Sequence, residues 1–168
     1  MNSLASVFAA INRLQDSGLV ASYAIGGATA VLFYAEPTRT YDLDVFVIMP
    51  APGRDELAHL AGIYEWARRE QFVTDAEHVL IHGVPVQFLP AYAQLVEEAI
   101  RQARVLTYEG VPVRVVGPEH LVGLAIQAGG ARRRERAYLL LESGAVDSVV
   151  LRDVLTRHGL PTEILDGA

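Results

Sequence analysis

The chain has 168 residues, 51% hydrophobic and 20% charged, with a net charge of −6 and no cysteine. Such a chain can bury a core without covalent staples, and the missing cysteines exclude disulfides, thiolate catalysis and cysteine metal sites. All 14 Lys+Arg residues are arginine, which excludes a Schiff-base or P-loop lysine, and an acidic whole is a poor non-specific binder of nucleic acid.

The first 18 residues lack a basic start and carry Asn12, Arg13, Gln15 and Asp16 in an amphipathic pattern, so they do not read as a signal peptide. No apolar run reaches the roughly 18 residues of a membrane span. A soluble, cytoplasmic protein with no membrane partner is expected. Ser3 is placed to cap a helix over 4–16, with Leu4, Val7, Phe8, Ile11 and Leu14 on one face. A short buried strand over 21–25 ends at Gly26-Gly27. A helix of small and apolar residues over 28–34 follows, and Glu36-Pro37 stops it. The strongest strand covers 41–49 and closes at Pro50-Ala-Pro-Gly53.

A helix is expected over 55–69, with Leu57, Leu60, Ala61, Tyr64 and Ala67 inward and its arginines late. Residues 79–81 and 84–89 read as a hairpin around His82-Gly83. After a helix over 94–103, 104–108 and 111–116 form a second hairpin around Glu109-Gly110. Gly117-Pro118-Glu119 opens a helix to about 128, with Glu119 at its positive end. A basic helix over 132–142 and a last helix over 148–157 complete the chain. This order predicts an α+β core over residues 1–116, with a C-terminal helical subregion over 117–168 packed on it.

Two carboxylates, Asp42 and Asp44, stand at the mouth of the strongest strand. Residues two apart on a strand share a face, and like charges this close are unfavourable unless a cation lies between them. Mg²⁺ takes a few carboxylates together with phosphate and water oxygens. A solvated strand end would show the same D-x-D pattern. The strand–Gly26-Gly27–helix turn adds backbone N–H groups at one point, a geometry that binds phosphate, although a tight turn without a ligand looks alike. Neither the Rossmann fingerprint nor the Walker loop is present.

With these residues in place, the sequence resembles the nucleotidyltransferase superfamily related to DNA polymerase beta. It is similar in particular to small bacterial members with GG-x-A at the turn and R-x-T-x-D-x-D at the strand, some of which are toxins of toxin–antitoxin and abortive-infection systems; here the strand reads R-T-x-D-x-D from Arg39 to Asp44, with Thr38 and Thr40 flanking the arginine. The resemblance implies a nucleotidyltransferase-like mixed β-sheet with flanking helices. It also implies a transferase that uses Mg²⁺ (or Mn²⁺) and a nucleoside triphosphate, ATP among them. Asp42 and Asp44 would hold the metal. Gly26 and Gly27 would cradle the phosphates, aided by Thr40 and by Arg39, for which a surface ion pair with Glu36 is the alternative. The acceptor would be a hydroxyl of an RNA, protein or small molecule, and an antitoxin-like protein is an implied partner.

The family's third carboxylate, on a later strand, falls at Gln87. An amide oxygen can meet a metal but is no general base. The substitution therefore also permits a catalytically degenerate module that binds nucleotide or a protein. Asp75 and Glu77 are nearby in sequence and read as solvated loop residues. The loop at Gly129-Gly130 leads to Arg132, Arg133, Arg134 and Arg136, read as a solvated helix face ahead of a phosphate or RNA patch. His59, His78, His82, His120 and His158 show no zinc spacing and read as surface or packing residues. Trp66 reads as core.

Overall fold

The computed structural model describes residues 4–35, 42–50 and 56–167. Their elements run α1 (Leu4–Asp16), β1 (Ser22–Gly26), α2 (Gly27–Val31), β2 (Leu43–Ile48), α3 (Glu56–Arg69), β3 (Val73–Asp75), β4 (His78–Ile81), β5 (Val84–Pro90), α4 (Gln94–Arg101), β6 (Arg104–Tyr108), β7 (Val111–Val115), α5 (Pro118–Ala128), α6 (Ala131–Glu142) and α7 (Ser148–Arg157). The expected Ser3 cap, the Glu36-Pro37 stop, the strand start at Tyr41 and the residues 51–53 of the closing turn lie outside the described residues, as do the side chains of Leu57 and His59.

Among the described residues seven strands form one mixed sheet in the order β3-β4-β5-β2-β1-β7-β6. β1 and β2 are antiparallel, whereas β2–β5 and β1–β7 are parallel. Both expected hairpins form. Their turns put His82 and Gly83 at φ 49° and 82°, and Glu109 and Gly110 at φ 47° and 81°. Two successive left-handed residues match the right-handed twist of the flanking strands.

The alternation of β2 decides which face becomes core. Leu43, Val45 and Val47 are buried, while Asp44, Phe46 and Ile48 are only partly so. Tyr23 and Ile25 of β1 stand opposite Val47 and Val45 on the buried face. This face lies under α1, where Tyr23 Oη donates to Asn12 Oδ1 at 2.6 Å and accepts from the Arg114 amide at 3.2 Å. The opposite face carries Gly26, Asp44 and Phe46.

The C-terminal helices join the same core through Leu121, Val122, Ala137, Leu140, Leu151 and Leu155. α5 packs against α4, α6 and α7 and reaches α2. Glu119 is buried and does more than face the helix dipole. It accepts from the Asp147 amide at 2.9 Å, and the Arg104 guanidinium lies 3.7 Å away. Glu98 of α4 takes both guanidinium nitrogens of Arg157 at 2.8 Å, His158 Nε2 at 2.7 Å and His120 Nε2 at 3.0 Å. One carboxylate thereby ties α4 to α5 and to the end of α7.

Three expectations change. The small-residue helix is one turn shorter than expected, ending at Val31. On α3, Trp66 and Ala67 are buried and Leu60 and Tyr64 pack against the core as expected, whereas Ala61 is exposed and Ile63 is buried in addition. β3 replaces a loop: Asp75 ends a strand, and only Ala76 and Glu77 form the turn to β4. Among the described residues no helix is long and apolar enough to cross a membrane.

Candidate active site

The sheet register gathers the sequence motif into one row. Gly26 stands opposite Asp44, Asp44 opposite Gln87, and Gln87 opposite His78. Directly opposed residues share a face, so these four positions on four neighbouring strands look the same way. Asp75 extends the row opposite His78. Three strand spacings, about 14 Å, separate it from Asp44, too far to share an ion with it. Glu77 is exposed in the turn beyond.

Both glycines are required by what stands beside them. A Cβ on Gly26 would occupy the Phe46 ring, and a Cβ on Gly27 would occupy the Asp44 carboxylate. Gly27 is also left-handed, at φ 59°, where a side chain is strained. The main chain at the turn can therefore pass against Asp44 only because nothing projects from it. With α2 a single short turn, the open backbone, not a long helix dipole, is what this corner offers a phosphate. Thr29 Oγ1 donates to the Asp42 carbonyl at 3.3 Å and anchors the approach to β2.

Burial pushes the Asp44 carboxyl above its ordinary value, and the neighbouring Asp42 charge pushes it further. Arg136, His78 and Arg133 pull it back. Asp42 is 46% exposed, and its Oδ2 lies 3.3 Å from His78 Nε2. His78, expected as a surface or packing residue, is partly exposed and stands beside one of the two candidate carboxylates. Its partner is 36 residues away, a pairing that only the β4–β5–β2 register creates. The imidazole brings a ring nitrogen beside the Asp42 carboxylate, a group that the Gln87 amide does not supply.

Asp44 opens into a cleft of about 270 Å³. Gly27 and Val31 of α2, Phe46 and Leu89 of the sheet, and Arg133 and Arg136 of α6 are among the residues lining it. The arginine run is thus divided: Arg132 and Arg134 are exposed away from the cleft lining, whereas Arg133 and Arg136 face the carboxylates. Arg39 and Thr40 lie outside the described residues.

Among the described residues no three His, Asp or Glu side chains form a ready metal cage. Two adjacent carboxylates, one raised by the other's charge, and a neighbouring amide fit a divalent ion that keeps water and substrate phosphate in its shell. The donor set suits Mg²⁺ or Mn²⁺ and is too sparse for a closed structural zinc site.

No protein-family model matches the sequence, and no curated protein matches it. Solved structures do match. ANT(2")-Ia in complex with adenylyl-2"-tobramycin aligns with a TM-score of 0.51 and 17% identity, over 92% of this chain and 95% of that one. An antigenic nucleotidyltransferase-like protein from Paracoccidioides brasiliensis gives 0.54 and 16%, over 92% and 86%. The solution structure of ANT(2'')-Ia gives 0.54 and 16%, over 92% and 90%. Together with the mixed sheet and its flanking helices, these alignments establish that the chain has the nucleotidyltransferase fold.

Proposed function

We propose that the cleft binds Mg²⁺–NTP and that the protein transfers a nucleotidyl group to a hydroxyl of an RNA, protein or small molecule. The observation that carries this reading is the contact between Gly27 and Asp44. A carboxylate is seated where a Cβ would stand, in one row with Gly26 and Gln87, on this fold. The neighbour bound to adenylyl-2"-tobramycin carries a nucleotidyl group joined to a small molecule, which supports this class of chemistry.

Asp42 and Asp44 would hold the ion, which when bound neutralises phosphate charge and helps orient the acceptor. Gly26 and Gly27 let the β and γ phosphates approach the main chain, with Arg39 and Thr40 assigned to the same phosphates. Arg133 and Arg136 close the opposite wall with planar guanidinium donors suited to phosphate. The acceptor oxygen bonds to the α-phosphorus as the bond to the bridging oxygen breaks. Pyrophosphate leaves, and the hydroxyl proton passes to a base. Gln87 cannot be that base, and His78 stands two strands from Asp44 in the same row.

The amide of Gln87 beside Asp44 favours a second reading, a module that binds nucleotide, or a protein such as an antitoxin-like partner, without transfer. Incubation with α-labelled NTPs and mixed cellular RNA and protein separates the two. Label transfer abolished by Asp42→Asn with Asp44→Asn supports the enzyme and identifies the acceptor class. Retained Mg²⁺–NTP binding with no transfer to any acceptor supports the module.

A further inference from the structure

The cleft is lined by charged groups, Asp44, Arg133 and Arg136, beside Gly27, and by apolar and aromatic ones, among them Phe46, Leu89, Tyr92, Leu121 and Leu124. Phe46 and Leu89 stand opposite each other, two residues beyond the Asp44–Gln87 pair on the same parallel strands. At the rise of a β-strand the main chain at this pair lies about 7 Å from that of the carboxylate row, and the Phe46 ring leans over Gly26 of that row.

Tyr92 lies in the short link between β5 and α4. Its side chain lines the cleft yet is 67% exposed. Among the described residues the other exposed large hydrophobics are Val73, Val105, Tyr138, Val149 and Val150, and none of them lines this cleft. Among the described residues the aromatic pairs, such as Phe8 with Tyr108 and Trp66 with Phe72, do not include Tyr92. An exposed aromatic ring at a cleft wall can serve as a stacking platform.

Resting on the Mg²⁺–NTP reading above, we propose that Tyr92 is the nucleobase-binding residue: it stacks the base of the NTP over the Phe46–Leu89 row. Among the described residues the side chains that line the cleft include no Asn, Gln, Ser or Thr, and the polar ones are Asp44, Tyr92, Arg133 and Arg136. Reading a base edge takes paired donors and acceptors such as an amide supplies, whereas stacking accepts every base. The site therefore takes all four NTPs and holds purines, with the larger stacking face, more tightly than pyrimidines.

The test is titration of wild type, Tyr92→Ala, Tyr92→Phe and Asp44→Asn with each Mg²⁺–NTP and with Mg²⁺–tripolyphosphate, which has no base. Wild type is expected to bind the four NTPs within about tenfold of one another, purines first. Tyr92→Ala should weaken each NTP about ten- to a hundredfold and leave tripolyphosphate unchanged, and Tyr92→Phe should retain wild-type affinity. Unchanged NTP affinity in Tyr92→Ala, equal weakening of NTP and tripolyphosphate, or strong selection of a single base overturns the Tyr92 assignment. If Asp44→Asn still abolishes binding in that case, the underlying nucleotide reading stands. Wild type that binds no NTP overturns both.

Discussion

Asp44 and Glu98 are both partly buried carboxylates, and their surroundings act on them in opposite directions. Asp44 has a second carboxylate beside it and cations only at a distance, and burial pushes its carboxyl up. Glu98 has a bidentate arginine and two imidazoles in direct contact. The Arg157 guanidinium holds its carboxyl well below the usual carboxylate range, against the effect of burial, with His120 and His158 pulling the same way. Glu98 is a finished interaction that fastens helices. Asp44 has no such cation in direct contact among the described residues, and under the proposed function a bound metal ion would supply one. On that reading the contrast separates the part of the molecule that stabilises from the part that would bind.

The largest effect on folding is expected at Glu98. Glu98→Ala leaves His120, with a side chain only 7% exposed, facing no acceptor, and should cost about 3 kcal/mol, a fall in Tm of about 10 °C. Mg²⁺–NTP affinity should stay unchanged at a temperature where the variant is folded. The sign of the pH dependence follows from the lowered folded-state value. The contribution of Glu98 is present above its unfolded pKa of about 4.3 and is lost as pH falls through the lower folded value. In acid melts the gap between wild type and Glu98→Gln should therefore narrow below pH 4.

Gly27→Ala should come next, and it touches both regions' currencies at once. A left-handed alanine costs about 1–2 kcal/mol, and its Cβ displaces the Asp44 carboxylate. Calorimetry should show both a lower Tm and at least tenfold weaker NTP binding, whereas Gly144→Ala, left-handed with open space around it, should lower Tm alone.

Arg133→Ala with Arg136→Ala should weaken Mg²⁺–NTP about tenfold and flatten its dependence on salt. Stability should hardly change, since Arg133 is exposed and Arg136 only half-buried.

The smallest effect sharpens the comparison most. Because the folded value of Asp44 is raised, its favourable contribution is present below the unfolded pKa and is lost as pH rises through the folded value. Ionised Asp44 thus opposes folding at neutral pH. Asp44→Asn should raise Tm slightly at pH 7, by the order of 1 kcal/mol of an exposed charge contact, and abolish metal-dependent nucleotide binding. Glu98→Gln should do the reverse on both counts.

The local features of this protein were legible in its sequence because they rest on local chemistry. His82-Gly83 and Glu109-Gly110 marked their hairpins, and Pro118 marked the start of α5. The spacing of Gly26-Gly27, Asp42 and Asp44 implied a shared site, and the register places Gly26 against Asp44 and Asp44 against Gln87. The inward face of α3 was legible at Leu60, Tyr64, Trp66 and Ala67 but not at Ile63, which lies between two of the expected positions. β3 escaped because its three residues are all exposed and show no alternation. His78 and the Glu98 cluster escaped for a different reason. Their partners are 22 to 60 residues distant, and pairings of that range are created by the fold and leave no spacing to read. Arg133 and Arg136 looked like their solvated neighbours until α6 was placed beside α2 and α5.

Isothermal titration of wild type and the Asp42→Asn, Asp44→Asn double variant with NTP, in the presence and absence of Mg²⁺, tests the central claim most directly. Binding that requires Mg²⁺ in wild type and is lost in a double variant with an equal or higher Tm is the predicted result. Equal NTP binding by the two proteins, or binding indifferent to Mg²⁺, would contradict it.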